Sequence, residues 1–289
     1  MDLIAQTTVT VPTRVGSLHV ETAGSGPPAV LWHSLFVDAA TWNRVRAPLA
    51  AERRLVLIDG PNHGGSPPVR RPFTLEDCAE AAVEVLDHLG IREPVDWLGN
   101  AWGGHAGIRF AAAHPDRCRS LAALGAPVHA LTGAERRKVR LLAALYLAAG
   151  PGAVVKPLTD ALLGPQARTA DPEGAAIVAG GFRRAGRRGM FDAIRWLSLR
   201  RADLGPVLSQ LETPTLLTTN ADDPMWTVAA ARAAAGRLRH GALAILPGSG
   251  HVGPLLQAAP DVAALVTTFW RDPQAVIAQH RAQESSPAG

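Results

Sequence analysis

Val95-Asp96-Trp97-Leu98-Gly99-Asn100-Ala101-Trp102-Gly103-Gly104-His105 is the stretch on which the reading of this chain turns. An apolar strand enters a Gly-x-Ala-x-Gly-Gly turn and leaves it directly as an Ala-rich helix, Ala106 to His114. A strand, a sharp glycine-lined turn and a helix in immediate succession is the local setting that presents a nucleophile at the top of a sheet, where the motif reads G-x-S-x-G. Here the central position is Ala101, whose methyl group cannot attack a substrate.

Working outward from the turn, the flanking segments alternate between strands and helices. On the N-terminal side, residues 6 to 23 alternate as a half-buried hairpin does, and 29 to 33 and 54 to 60 are short apolar runs of the kind buried on both faces of a sheet. Thr74 with Asp77 three residues on reads as a weak form of the capping box, opening a helix that Gly90 closes. On the C-terminal side, Ser120 to Pro127 is another buried strand, so the pattern predicts a mainly parallel sheet with helices on both faces and right-handed crossovers.

From His129 to about Arg201 the alternation stops and only helices are predicted, at 133 to 149, 152 to 163, 172 to 185 and 189 to 200. This segment reads as a helical cap, 129 to 201, inserted after the sixth strand into a core made of 1 to 128 and 202 to 289. Strands resume at 214 to 220 and 242 to 246, giving about eight in all. Gln283 to Gly289 reads as a disordered tail.

Composition limits the functional classes. At 289 residues and 47% apolar content the chain is long enough for one large domain with an insertion. Neither a signal peptide nor an apolar run of about 18 residues is visible, so no membrane span is expected and the cytoplasm is the default location. Cys78 and Cys118 lack metal-ligand spacing and read as inert core thiols, with no metal or cofactor implied. The net charge of +4 is carried almost wholly by arginine, Lys138 and Lys156 being the only lysines, and gives no argument for a nucleic-acid partner. The cap arginines (136, 137, 140, 183, 184, 187, 188) read as a solvated helix face.

Serine-type hydrolysis needs a nucleophile, an imidazole, a carboxylate and two N–H groups for the oxyanion. Four local patterns bear on this: His33-Ser34-Leu35-Phe36, Asp59 to Ser66, the turn at Gly99 to Gly104, and Pro247-Gly248-Ser249-Gly250-His251. In these patterns the chain, from about residue 8 to 270, resembles the α/β-hydrolase fold superfamily: its His-Gly-x oxyanion loop, its D-x-x-G-H-G-x-S segment, its nucleophile elbow and its P-x-x-G-H histidine loop. The resemblance implies His251 as base, Asp223 (rather than Asp222) as its carboxylate, Ala101 at the nucleophile position, and the main-chain N–H groups of Leu35 and Trp102 as oxyanion donors. Ser34 stands where the family has glycine, and reads as a local hydrogen-bonding residue.

His33 reads as a buried histidine shaping the oxyanion loop, and His63 and His105 as structural or surface groups. Phe36, Asn100, Trp196, Met225 and Trp226 are candidates for the wall of a substrate pocket, as is Trp102. The expected substrate is a small, partly apolar ester, lactone or ketone. Three explanations of Ala101 stand side by side: a laboratory Ser-to-Ala substitution in a hydrolase whose Gly-Asn elbow resembles that of carbon–carbon bond hydrolases; a natural enzyme using His251 as general base, of cofactor-independent dioxygenase or lyase type; and a non-catalytic ligand-binding protein. The run from Met1 to Gly289 without a tag favours a natural alanine.

Overall fold

The computed structural model describes residues 6–285. Its centre is an eight-stranded sheet in the order β1-β2-β4-β3-β5-β6-β7-β8. The strands are β1 (Gln6–Thr13), β2 (Gly16–Ala23), β3 (Pro28–Trp32), β4 (Arg54–Asp59), β5 (Val95–Asn100), β6 (Cys118–Leu124), β7 (Thr215–Asp222) and β8 (Gly241–Ser249). β1 pairs with β2 and β2 with β4 antiparallel, while every other pairing is parallel. β3, β4 and β5 are wholly or almost wholly buried, as their unbroken apolar runs require of strands covered on both faces.

The helices are α1 (Asn43–Ala50), α2 (Leu75–His88), α3 (Trp102–Ala113), α4 (Gly133–Ala149), α5 (Val155–Leu163), α6 (Ala167–Ala170), α7 (Pro172–Ala185), α8 (Arg187–Ala193), α9 (Gly205–Leu208), α10 (Val228–Ala235), α11 (Gly253–Gln257), α12 (Ala259–Arg271) and α13 (Pro273–Ser285). Two large apolar clusters result, one on each face of the sheet: the first joins α2 and α3 to the helices that follow β6, the second packs α1 and α12. The Thr74–Asp77 cap is a complete capping box, stronger than the sequence suggested, because the Asp77 carboxylate accepts from Thr74 N at 2.9 Å while Thr74 Oγ1 accepts from Asp77 N at 3.1 Å. Residues 283–285, expected to be disordered, continue α13, and 286–289 lie outside the described residues.

The edge of the sheet where the parallel strands begin is held by a closed polar network. Asp96 is fully buried and accepts from Arg53 Nε (2.8 Å), from Arg119 Nε (3.0 Å) and Nη2 (2.6 Å), and from Ser120 Oγ (2.7 Å). Arg53 also donates to the carbonyls of Glu52 and Trp270. Every charge there has a partner within the chain.

Between β6 and β7 the chain forms α4 to α8 and no strand. After α8 the helix passes into a π turn, Ile194–Ser198, with Leu199 N donating to Ile194 O at 3.0 Å. Such a turn admits one extra residue and rotates everything beyond it. Arginines of this segment, among them the exposed Arg184 and Arg188, also make bonds within the chain: Arg184 to Asp38 at 2.6 and 3.0 Å, Arg188 to Asp192 at 2.8 Å and Arg136 to Leu199 O at 2.7 Å. The C-terminal end of α5 is bound to the loop that carries His251, because the carbonyls of Ala161 and Leu162 accept from His251 N (3.2 Å) and Val252 N (2.8 Å). Leu163 O accepts from Ser249 Oγ (3.1 Å) and Gln257 Nε2 (2.7 Å).

Candidate active site

Ala101 occupies the turn between β5 and α3 with φ 47° and ψ −103°, a left-handed conformation that a residue with a Cβ adopts only when its surroundings impose it. The glycines around it make the turn possible. A Cβ on Gly103 would lie 1.8 Å from Trp32 O, and one on Gly99 would lie 2.2 Å from Gly103, so strand and helix approach more closely than any side chain would allow. Ala101 N donates to Leu124 O at 2.8 Å and His105 N to Ala101 O at 2.9 Å, fixing the turn between β6 and the first turn of α3.

His251 follows β8 and Asp223 follows β7, which are neighbours in the sheet. His251 Nδ1 lies 3.1 and 2.9 Å from the two carboxylate oxygens of Asp223. A carboxylate can only accept, so Nδ1 carries the proton and Nε2 presents its lone pair. Asp223 is held in turn by the amides of Met225 (2.8 Å) and Trp226 (3.2 Å), whereas Asp222 is exposed and makes no contact with the ring. No other group among the described residues bonds His251 Nε2.

Leu35 and Trp102 supply two further open groups. Neither main-chain N–H donates to another atom among the described residues, and both residues border the same cavity as Ala101 and His251. The loop after β3 is shaped by His33, which is fully buried: its Nδ1 donates to Ser34 O (2.7 Å) and its Nε2 accepts from Gly60 N (2.9 Å). Burial holds its pKa below the usual histidine value, so it stays neutral. Ser34 Oγ is spent on Leu35 O at 3.1 Å, a local bond, although Ser34 also borders the cavity.

The sheet order, the β5 turn and the positions of Ala101, Asp223 and His251 meet in a sequence match. Residues 27–258 match the model of the family described as alpha/beta hydrolase fold. The chain belongs to the α/β-hydrolase fold family. Among curated members, it is similar to a 2-hydroxy-6-oxononadienedioate/2-hydroxy-6-oxononatrienedioate hydrolase of Cupriavidus pinatubonensis, 39% identical over 35% of this chain and 33% of that protein. It is also similar to a pimeloyl-[acyl-carrier protein] methyl ester esterase of Nitrosomonas europaea, 32% identical over 37% of this chain and 40% of that one. The sequence likeness thus spans well under half of these relatives. In structure it resembles a thermophilic esterase from Thermogutta terrifontis, with a TM-score of 0.83 at 22% identity over 93% of this chain and 99% of that one. The enol-lactonase from Burkholderia xenovorans LB400 gives the same TM-score, 0.83, at 21% identity over 92% and 100%.

In this α/β-hydrolase the cavity above Ala101 has a volume of about 360 Å³ and remains open. Phe36 and Met225 line it, Phe36 from a positive φ of 77°. Trp102 contributes its start of α3, but its ring packs against His33, His63 and Trp32 in the space left by Gly60. Three pocket candidates are corrected. Asn100 is buried behind the turn, with Nδ2 donating to Leu124 O at 3.0 Å; Trp226 is buried beneath Asp223; and Trp196 packs edge-on against Phe73 at 5.2 Å. The π turn accounts for the last: it turns Trp196 away and brings Leu197 and Ser198 to the cavity.

Sequence reasoning missed His105, Glu135, Lys138, Leu142, Leu158 and Arg201 as lining residues. His105, expected to be structural or on the surface, is buried, donates from Nε2 to Pro127 O at 2.8 Å and borders the cavity. Burial, with Arg201 nearby, holds its pKa well below the ordinary value. His63 is buried as a structural group, Nδ1 donating to Pro61 O at 2.9 Å, and burial lowers its pKa to about 3. Burial pushes the thiols of Cys78 and Cys118 upward, keeping them protonated. Among the described residues there is no group of three or more metal-ligating side chains, and no helix is long and apolar enough to cross a membrane.

Proposed function

We propose that this protein acts on a small, partly apolar carbonyl compound, an ester, lactone or activated ketone, held between the β5 turn and a cap formed by residues 129–201. His251 serves as general base, Asp223 fixes its tautomer and steadies the imidazolium, and the N–H groups of Leu35 and Trp102 receive the oxyanion. The observation that carries this reading is the convergence on one open cavity of an unbonded Nε2 and two undonated amides. Relatives named as an esterase and as a hydrolase of an oxo-dioate agree with the substrate class.

With Ala101 at the nucleophile position no acyl-enzyme forms. His251 takes a proton from water, the resulting hydroxide adds to the carbonyl carbon, and negative charge develops on the oxygen held by Leu35 and Trp102. Collapse breaks the bond to the leaving group, which receives the proton from His251. Losing the serine of a triad costs on the order of 10⁶ in turnover, so this direct route is slow unless the substrate is activated. The same base removing an acidic proton from the substrate is a second reading, favoured because Ala101 leaves Nε2 with no hydroxyl to serve.

Ala101→Ser tests the reading directly. It is expected to raise hydrolysis of p-nitrophenyl butyrate by about 10³-fold or more, and His251→Ala in that background should remove the gain. Absence of any gain would show that the amides and imidazole are not arranged for acyl transfer. In the unsubstituted protein, His251-dependent deuterium exchange into a 1,3-diketone without hydrolysis would select the second reading, and ligand binding without either reaction a purely binding role.

A further inference from the structure

Arg201 is nine-tenths buried in the cavity wall and has no carboxylate partner among the described residues. Its one hydrogen bond runs from Nη1 to Pro127 O at 2.6 Å, although a guanidinium offers five N–H donors. That bond does not account for a buried arginine, because the same carbonyl already accepts from His105 Nε2 at 2.8 Å. Removing a guanidinium from water without an anion is costly, and burial lowers the pKa of Arg201 to about 10.

Two carboxylates act on it electrostatically without bonding it: Asp203, which accepts from Gly205 N at 2.8 Å, and Glu135. Lys138 lies at the exposed rim of the same cavity without an ion pair among the described residues. The one acidic residue on the wall, Glu135, is engaged elsewhere, accepting from Thr132 N (2.7 Å) and Thr132 Oγ1 (2.8 Å). Its pKa is lowered by those bonds, so it remains ionised and offsets roughly one of the two cations. His105 is held neutral, and His129, 3.9 Å from Glu135, faces the rim. An unbonded guanidinium edge in an otherwise apolar wall of leucine, valine, phenylalanine and methionine, with Lys138 at the rim, fits a carboxylate with an apolar body.

We propose that Arg201 is the carboxylate-binding residue of this pocket and that the ligand is an amphiphilic carboxylic acid derivative, its carboxylate paired with the guanidinium and its carbon skeleton reaching toward Ala101 and His251. A guanidinium pairs with a carboxylate through two parallel N–H donors, and the unengaged edge of Arg201 supplies them. A dianionic phosphate would bring a second negative charge toward Glu135 and Asp203. The assignment deepens the function proposed above by naming the group that orients the substrate, and it concerns binding alone.

Isothermal titration of the unsubstituted protein with 4-phenylbutanoate, 4-phenylbutanamide and 2-phenylethyl phosphate tests it without reference to turnover. The acid is expected to bind at least 10-fold more tightly than the isosteric amide. Arg201→Met should abolish that preference while leaving amide affinity within about 2-fold, and Arg201→Lys should retain part of it. Equal binding of acid and amide, binding of neither, tighter binding of the phosphate, or a preference that survives Arg201→Met would each overturn the assignment. The acid-over-amide ratio in the unsubstituted protein decides the matter even if a variant fails to fold. Failure of Ala101→Ser to gain esterase activity would leave this test unaffected.

Discussion

The two ends of the parallel strands treat buried charge in opposite ways. Where the strands begin, Asp96 satisfies Arg53, Arg119 and Ser120, and the network is closed. Where they end, the groups around the cavity are left open: His251 Nε2, the amides of Leu35 and Trp102, and most of the Arg201 guanidinium. Arg53 and Arg201 are buried to nearly the same extent, 7% and 9% exposed, yet among the described residues only the first is hydrogen-bonded to a carboxylate. The first end closes its charges on one another, and the second leaves polar groups open to a cavity, where the proposed ligand would meet them.

Substitutions can break or sharpen that contrast. Asp96→Ala should cost about 3–5 kcal/mol in urea unfolding, because it leaves a buried arginine without its anion. Arg44→Ala, which removes partly exposed pairs to Asp171 and Glu173 between α1 and α7, should cost about 1 kcal/mol in the same measurement. Arg201→Met should cost least, less than about 1 kcal/mol, since Pro127 O keeps its bond from His105 and an unpaired buried charge is removed. If Arg201→Met proved as damaging as Asp96→Ala, both ends would be structural and the contrast would fail.

What could be read in advance follows the same division. The sheet, the β5 turn and the order of Ala101, Asp223 and His251 were legible because glycine spacing and unbroken apolar strands reflect local sterics. The side chains of the cavity wall were not. Arg201 follows Arg200 in what looks like a charged pair, and nothing in the pattern says which one turns inward. Trp196 lies within the π turn, where the helical phase changes, and Asn100 is the last residue of β5, buried in the strand. Helical periodicity reports that a face is buried and not what it is buried against.

The bonds from α5 to the His251 loop bear on traffic into the site. Swinging α5 away would break four hydrogen bonds, each worth about 1 kcal/mol, and two of them hold the backbone of His251 and Val252. His251 therefore cannot keep this backbone position while α5 lifts. Lys138 and Leu142 on α4, which border the same cavity, share none of these four bonds, so α4 can shift without moving the backbone that carries His251.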